Sequence, residues 1–251
     1  DELTLVVIGE SAKASDLLAL DGKTGKKVGA AEVESITGTV ADLKTVFAAT
    51  KTLTPTLELA ADVAVSVSGT VKASDLTAVL AATTGVVTAT IAADTAAKLK
   101  TALADANPAG KNVLNLTVNG AKADAGDLVV IKDLTSGKIT VTAKEISGSL
   151  SDIKAVLVTN ADKFTGLDKV AVKITGATVP LTDLDAILAA TSGIVTATVA
   201  SGTAADLVDA LENAKATDAL KLEVTGTPTA ADLLALDGKT SVVVDVKAIS
   251  I

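Results

Sequence analysis

The stretch ASDLTAVLAATTGVVTATIA, residues 73–92, returns as LTDLDAILAATSGIVTATVA at residues 181–200. Each copy opens on an acidic-leucine pair, Asp75-Leu76 or Asp183-Leu184. Apolar residues follow at helical spacing: Leu76, Val79 and Leu80 in one, Leu184, Ile187 and Leu188 in the other. That spacing predicts a helix of two to three turns with a single apolar stripe, which must dock on something. A Gly-containing turn ends the helix. Val87, Ala89 and Ile91, or Val195, Ala197 and Val199, then alternate with Thr at period two, the pattern of a strand with one buried face.

The same grammar runs in both directions from these copies. Helix signals stand at Asp16-Leu17, Asp42-Leu43, Asp127-Leu128, Asp152-Ile153, Asp206-Leu207 and Asp232-Leu233, with Lys98-Leu99 as a variant. Alternating runs follow at Val63/Val65/Val67, Leu114/Leu116/Val118, Val170/Val172/Ile174, Leu220/Leu222/Val224 and Val242/Val244/Val246. A spacing of about 24 to 32 residues is that of a solenoid or similar repeat array. A longer period lies above it: ASDLLALDGKTG from Ala14 returns as AADLLALDGKTS from Ala230, so the repeats run A, B, C, D, A, B, C, D, A.

The expected fold is α/β: a β/α solenoid of about nine to ten coils, with a parallel sheet on one side and short helices on the other. A strand, a helix and a return to a parallel strand make a right-handed crossover. The whole of 1–251 reads as one continuous array, with repeats at about 1–10, 11–37, 38–69, 70–93, 94–121, 122–147, 148–176, 177–201, 202–226 and 227–251. Its ends are expected to be uncapped. Leu3, Leu5 and Val7 form the strand of a D repeat, and Val242, Val244 and Val246 that of an A repeat, with none of the polar terminal repeats that close most solenoids. Such edges offer backbone groups that template another coil, so the expected partners are copies of the chain or adjacent repeats of the same parent.

Local chemistry accounts for the helix starts. Thr39-x-x-Asp42, Ser149-x-x-Asp152, Thr203-x-x-Asp206, Thr229-x-x-Asp232 and Asp124-x-x-Asp127 have capping-box spacing. The acids also meet the positive helix end. Because each acid occupies a fixed helix-initiating position, capping explains it better than a calcium loop does.

Composition narrows the function classes. The chain is 49% hydrophobic but 1% aromatic, so Leu, Val, Ile and Ala must build its core. Thin repeating layers suit such residues. No apolar run reaches the roughly 18 residues of a bilayer span, so membrane insertion is not expected. A net charge of −8 argues against nucleic acid. With no Cys there are neither disulfides nor thiolate metal sites. Few Cys, His and Met beside abundant Ala, Thr, Val, Gly and Asp point to an extracellular or cell-surface location.

Catalysis has little to stand on, since His, Cys, Tyr and Trp are all absent. Gly22-Lys23-Thr24 and Gly238-Lys239-Thr240 resemble the end of a P-loop. They lack its upstream Gly, and they follow a predicted helix where a P-loop precedes one. They read as helix exits. We expect no enzyme, cofactor or metal. The outward strand residues instead make a Thr-rich polar face, with Thr88/Thr90, Thr140/Thr142 and Thr196/Thr198 as Thr-x-Thr pairs. Thr suits an exposed strand, and the same face is the candidate for a ligand or a lateral contact.

Units such as ASDLLALDGKT, ITGTVADLKTVFAAT and ISGSLSDIKAVLVTN resemble the degenerate tandem repeats of very large secreted surface and adhesin-like proteins of bacteria, cyanobacteria among them. The resemblance implies an extracellular structural or adhesive role. It leads to a structural repeat module of a filament, surface layer or adhesin stalk. The alternative is a binding module whose Thr-rich face takes carbohydrate such as surface glycans, ice or a protein partner.

Overall fold

The computed structural model describes residues 3–104 and 111–247. It is a mixed α/β protein in which every strand pairing between named strands of the described residues is parallel. Along the chain, β1 (Ser11–Lys13) leads into α1 (Ala14–Asp21), then β2 (Val28–Ala30), β3 (Ser35–Gly38) and α2 (Val40–Ala49). Next come β4 (Leu57–Leu59), β5 (Ala64–Val71), α3 (Ala73–Leu80), β6 (Val87–Ile91) and α4 (Ala96–Ala102). They are followed by β7 (Val113–Val118), β8 (Lys122–Asp124), α5 (Ala125–Leu134), β9 (Ile139–Val141), β10 (Glu145–Gly148) and α6 (Leu150–Lys154). A π-turn (Ala155–Thr159) and a 3-10 turn (Ala161–Lys163) extend α6 to β11 (Phe164–Thr165). The chain continues with β12 (Ala171–Ile174), α7 (Leu181–Ala190), β13 (Val195–Thr198), β14 (Gly202–Thr203) and α8 (Ala204–Ala210). It finishes with β15 (Ala219–Lys221), β16 (Glu223–Thr225), α9 (Ala230–Asp237) and β17 (Asp245–Val246).

The helices begin at the expected acidic-leucine pairs, and the stripe residues Leu43, Val46, Leu76, Val79, Leu184 and Ile187 are fully buried. The strands bury the expected alternate residues, among them Val63, Val87, Leu114, Val172, Val195 and Leu220. Several repeats contain two or three short strands where the sequence points to one. In the second repeat β2 and β3 are separated by a tight turn, and β9 and β10 make the same arrangement farther on.

The strands form four sheets, in the orders β1-β3-β5-β6-β7-β9-β11, β15-β13-β12-β10-β8, β14-β16-β17 and β2-β4. In the seven-stranded sheet, β1, β3 and β5 each run into a helix, whereas β7, β9 and β11 each leave a helical segment. β6 stands where the two series meet, and the register of β5 shifts there between Ser66 and Thr70. The five-stranded sheet makes the same change between β12 and β13. Both changes fall on the C repeat, so the duplication seen in the sequence is also a duplication of sheet topology.

The chain divides into two compact units. One comprises the described parts of Asp1–Asp94, Lys98–Thr117 and Ile131–Lys138; the other comprises Thr95–Ala97, Val118–Val130 and the described part of Ile139–Ile251. The first packs α1, α2 and α3 side by side, and the second does so with α8 and α9.

Candidate functional site

The candidate Thr face starts with β6, where Val87, Ala89 and Ile91 point inward and Thr88 and Thr90 are exposed. Parallel register aligns Thr37, Ser66 and Thr88 on neighbouring strands, and likewise Thr70, Thr90 and Asn115. Thr140 pairs with Thr165, whose Oγ1 donates to the Thr140 Oγ1 at 3.1 Å. Thr142 lies beyond the end of β9 and donates from Oγ1 to the Val118 carbonyl at 3.1 Å. Thr196 and Thr198 are elsewhere, on the five-stranded sheet, where Thr196 is flanked by Lys173 and Ala219 and Thr198 by Lys221. The six threonines therefore do not form one ladder, because the sheets exchange strands at each C repeat. Thr88 and Thr90 belong to hydroxyl and amide rows; Thr196 and Thr198 belong to a row with lysines.

A second set of threonines is buried. After α3, α5, α7 and α9 the chain turns through Thr83, Thr135, Thr191 and Thr240, each no more than 5% exposed. Their Oγ1 atoms donate to carbonyls of the preceding repeat: Val63 at 2.6 Å, Leu114 at 2.9 Å, Val170 at 2.7 Å and Leu220 at 2.8 Å. Each also accepts the amide two residues on, from Gly85, Gly137, Gly193 and Val242. The next residue, Thr84, Ser136, Ser192 or Ser241, adds a backbone N–H and a hydroxyl to one further carbonyl of the preceding repeat. After α3, α5 and α7 the third corner position requires glycine, because a Cβ on Gly85, Gly137 or Gly193 would run into backbone carbonyls of Val63, Leu114 or Val170, whereas the corner after α9 has Val242 there. Thr24 makes the same corner, donating to the Leu3 carbonyl at 2.6 Å. Both Gly-Lys-Thr segments are thus helix exits into a corner. A hydroxyl engaged as donor and acceptor in a buried turn holds the repeats together and is not poised as a nucleophile.

In the D repeats the carbonyl-rich corner is built with a different side chain. Asn112 Oδ1 accepts the Val87 amide at 2.9 Å, and Asp218 Oδ1 accepts the Val195 amide at 2.8 Å. Asp218 is fully buried. Its Oδ2 accepts the Lys215 amide at 2.8 Å and has the Lys215 Nζ at 3.9 Å. The carboxylate is consumed by these donors.

The helix starts cap as their spacing implies. Thr39, Ser149, Thr203 and Thr229 accept the amides of Asp42, Asp152, Asp206 and Asp232, and Asp124 accepts that of Asp127. At Thr229 the box is reciprocal: its own amide donates to Asp232 Oδ2 at 3.0 Å. The Thr229 amide and then its hydroxyl hold the Asp232 carboxyl below its ordinary pKa of 3.8. Among the described residues, no group of three or more His, Cys, Asp or Glu is placed to hold a metal ion. No described helix is long and apolar enough to cross a membrane.

The candidate edge residues are placed differently at the two ends. Leu3, Leu5 and Val7 flank a single bridge, Val6 to Gly29, in which the Val7 amide donates to the Gly29 carbonyl at 2.7 Å and the Gly29 amide to the Leu5 carbonyl at 3.0 Å. Leu5 and Val7 are half-buried; Leu3, Val6 and Ile8 are exposed. At the other end the strand is shorter than Val242/Val244/Val246 implies, since β17 spans Asp245–Val246, and among the described residues it pairs with β16. Val242 and Val244 are half-buried, and Val243 and Val246 are exposed.

Compared with known proteins, the chain matches no family model, no curated protein and no solved structure.

Proposed function

We propose that the chain is a structural repeat module, a β/α solenoid of nine to ten coils that assembles end to end or continues into a longer array. Its setting is an extracellular filament, surface layer or adhesin stalk of the kind its repeats resemble. The observation that carries the reading is the run of parallel pairings in which each repeat's strand lies on the strand of the repeat before it, from β1 on β3 to β16 on β17. The buried threonine corners support it, since their donors and acceptors lie in successive repeats. Exposed large apolar side chains stand near both ends of the described chain, Leu3, Val6 and Ile8 at one and Val243 and Val246 at the other, and also elsewhere, as at Leu53 and Ile194. The role is mechanical: inter-repeat hydrogen bonding carries load and solvated faces keep neighbours apart.

Electron microscopy of the native material tests this, alongside Val246→Pro. Proline removes an amide from β17 and does not belong in a strand that must pair on both sides. Filaments or sheets that vanish in the variant are expected. Isolated particles in both forms would sink the assembly reading.

A second reading is a binding module on the seven-stranded sheet, favoured by the aligned rows Thr37, Ser66, Thr88 and Thr70, Thr90, Asn115. It predicts glycan binding that Thr88→Lys with Thr90→Lys abolishes while leaving assembly intact.

A further inference from the structure

Five asparagines lie among the described residues: Asn112, Asn115, Asn119, Asn160 and Asn213. Four of them have a side-chain hydrogen bond. Asn112 Oδ1 accepts the Val87 amide at 2.9 Å, and Asn115 Oδ1 accepts the Lys138 amide at 3.4 Å. Asn160 Nδ2 donates to the Ala155 carbonyl at 2.8 Å, and Asn213 Nδ2 to Asp185 Oδ1 at 2.7 Å. Asn119 has no side-chain hydrogen bond among the described residues. It is half-buried at the exit of β7 and is followed by Gly120, which is exposed.

Two other glycines follow an acidic or amide residue, Gly22 after Asp21 and Gly238 after Asp237. Both stand at helix exits with right-handed φ of −72° and −69°, and their amides donate to the Leu18 and Leu234 carbonyls at 3.0 and 3.3 Å. An amide held in this way points into its helix and away from the preceding side chain. The Gly120 amide has no acceptor among the described residues, and its φ of +112° is one that Gly adopts readily. Glycine also brings no Cβ between that nitrogen and the Asn119 carboxamide.

We propose that Asn119-Gly120 is a site of spontaneous covalent modification, at which the asparagine becomes aspartate and iso-aspartate. The Gly120 nitrogen gives its proton to hydroxide and attacks Asn119 Cγ. A C–N bond forms, the Cγ–Nδ2 bond breaks, and Nδ2 takes a proton from water and leaves as ammonia, which closes a succinimide. Water then opens the ring. Cleavage at Cγ gives aspartate; cleavage at the backbone carbonyl gives iso-aspartate, in which the chain runs through the former side chain. Nothing is oxidised or reduced. This chemistry is one reason that asparagine counts as thermolabile.

The iso-aspartate acts on the fold because the backbone on both sides of Asn119 is fastened to the next repeat. The Val118 carbonyl accepts the Thr142 amide at 2.8 Å and the Thr142 hydroxyl at 3.1 Å, and the Gly120 carbonyl accepts the Lys144 amide at 3.2 Å. Asn119 spans the two carbonyls, and Ala143 spans the two amides. An iso-aspartyl link carries an extra methylene along the backbone, so it cannot hold both fastenings in register. The Lys144 end gives way, since a single bond holds it.

The test uses the full chain, incubated at neutral and at mildly alkaline pH, digested and mapped by mass spectrometry, with iso-aspartate counted by enzymatic methylation. The peptide holding Asn119 should gain about 1 Da before those holding Asn115, Asn160 or Asn213 do, and sooner at the higher pH. Iso-aspartate should appear at residue 119 ahead of Asp21 and Asp237, and that lead should shrink in urea, which releases the Gly22 and Gly238 amides. Asn119→Gln, whose longer arm closes such a ring poorly, should stay unmodified. In the iso-aspartyl fraction, hydrogen exchange of the Lys144 amide should quicken at least about tenfold, as loss of a hydrogen bond does. It should stay unchanged in Asn119→Asp, which has the charge without the extra methylene. An Asn119 peptide that keeps its mass, or gains it no sooner than the others, overturns the site. Equal Lys144 exchange in the iso-aspartyl and Asn119→Asp chains overturns the unfastening. Neither result depends on whether the chain assembles.

Discussion

Replacing Thr191 by Val keeps the shape of the side chain and removes only its hydrogen bonding. Thr191 is 4% exposed; its Oγ1 donates to the Val170 carbonyl at 2.7 Å and accepts the Gly193 amide at 3.0 Å. Both partners lose a contact, and a buried group left unsatisfied costs about 1–3 kcal/mol. The half-buried Gly193 amide has some access to water, so the net loss falls at about 2–3 kcal/mol, below the sum of two full penalties. Thr191→Ser is the control. It keeps the hydroxyl and removes one methyl, a loss of about 1 kcal/mol. Urea denaturation followed by far-ultraviolet circular dichroism should rank wild type above Thr191→Ser and Thr191→Val last. With an m-value of about 3 kcal/mol/M, the valine midpoint falls by about 1 M. If Thr191→Val matches wild type, or is more stable than Thr191→Ser, the corner hydroxyl is not what joins these repeats.

Glycines should divide by position. Gly193→Ala drives a Cβ into the Val170 carbonyl and should cost about 2–4 kcal/mol, whereas Gly22→Ala, at a right-handed φ of −72° with its nearest contact at 3.5 Å, should stabilise by about 0.4–1 kcal/mol; melting temperatures separate the two. Asp218→Asn puts an amide donor against the Lys215 or Val195 amide and should cost about 1–3 kcal/mol in the same urea assay. The Asp232 carboxyl, lowered from 3.8 by the Thr229 amide and hydroxyl, favours the folded helix above its unfolded pKa and loses that contribution as pH falls through its folded value. Carboxyl NMR titration should place it below 3.8, and Thr229→Ala, which removes the hydroxyl but keeps the backbone amide that is the larger cause, should return it only part of the way toward 3.8; an unchanged titration in the variant would show that the hydroxyl is not a cause.

The parts of the fold that were legible in the sequence are those whose partners are close along the chain. Asp75-Leu76 or Thr39-x-x-Asp42 marks a helix start within four residues, and Val87, Ala89, Ile91 declare a buried face within five. The three-residue strands β2 and β9 are too short to display a period, so two strands per repeat read as one. Thr83 and Thr191 look like turn residues, because their partners Val63 and Val170 lie about 20 residues upstream and nothing local marks them as buried. The recurrence of Thr-[Thr/Ser]-Gly after α3, α5 and α7 is the signal that carries them. The candidate face was legible strand by strand but not as a surface. Whether Thr90 neighbours Asn115 or Thr198 neighbours Lys221 depends on which strands share a sheet, and that is decided by the register shift in β5 and the strand exchange beside β13.

The corner hydrogen bonds have a direction. Thr83, Thr135, Thr191 and Thr240 all reach back toward the N-terminus, to carbonyls made about 20 residues earlier. A ribosome releases the acceptor first and the donor second, so each corner closes onto carbonyls already made, whereas the Val87 and Val195 amides wait for Asn112 and Asp218 of the following repeat. Short loops of this kind fold quickly, and the protein can grow as it is made, one repeat at a time.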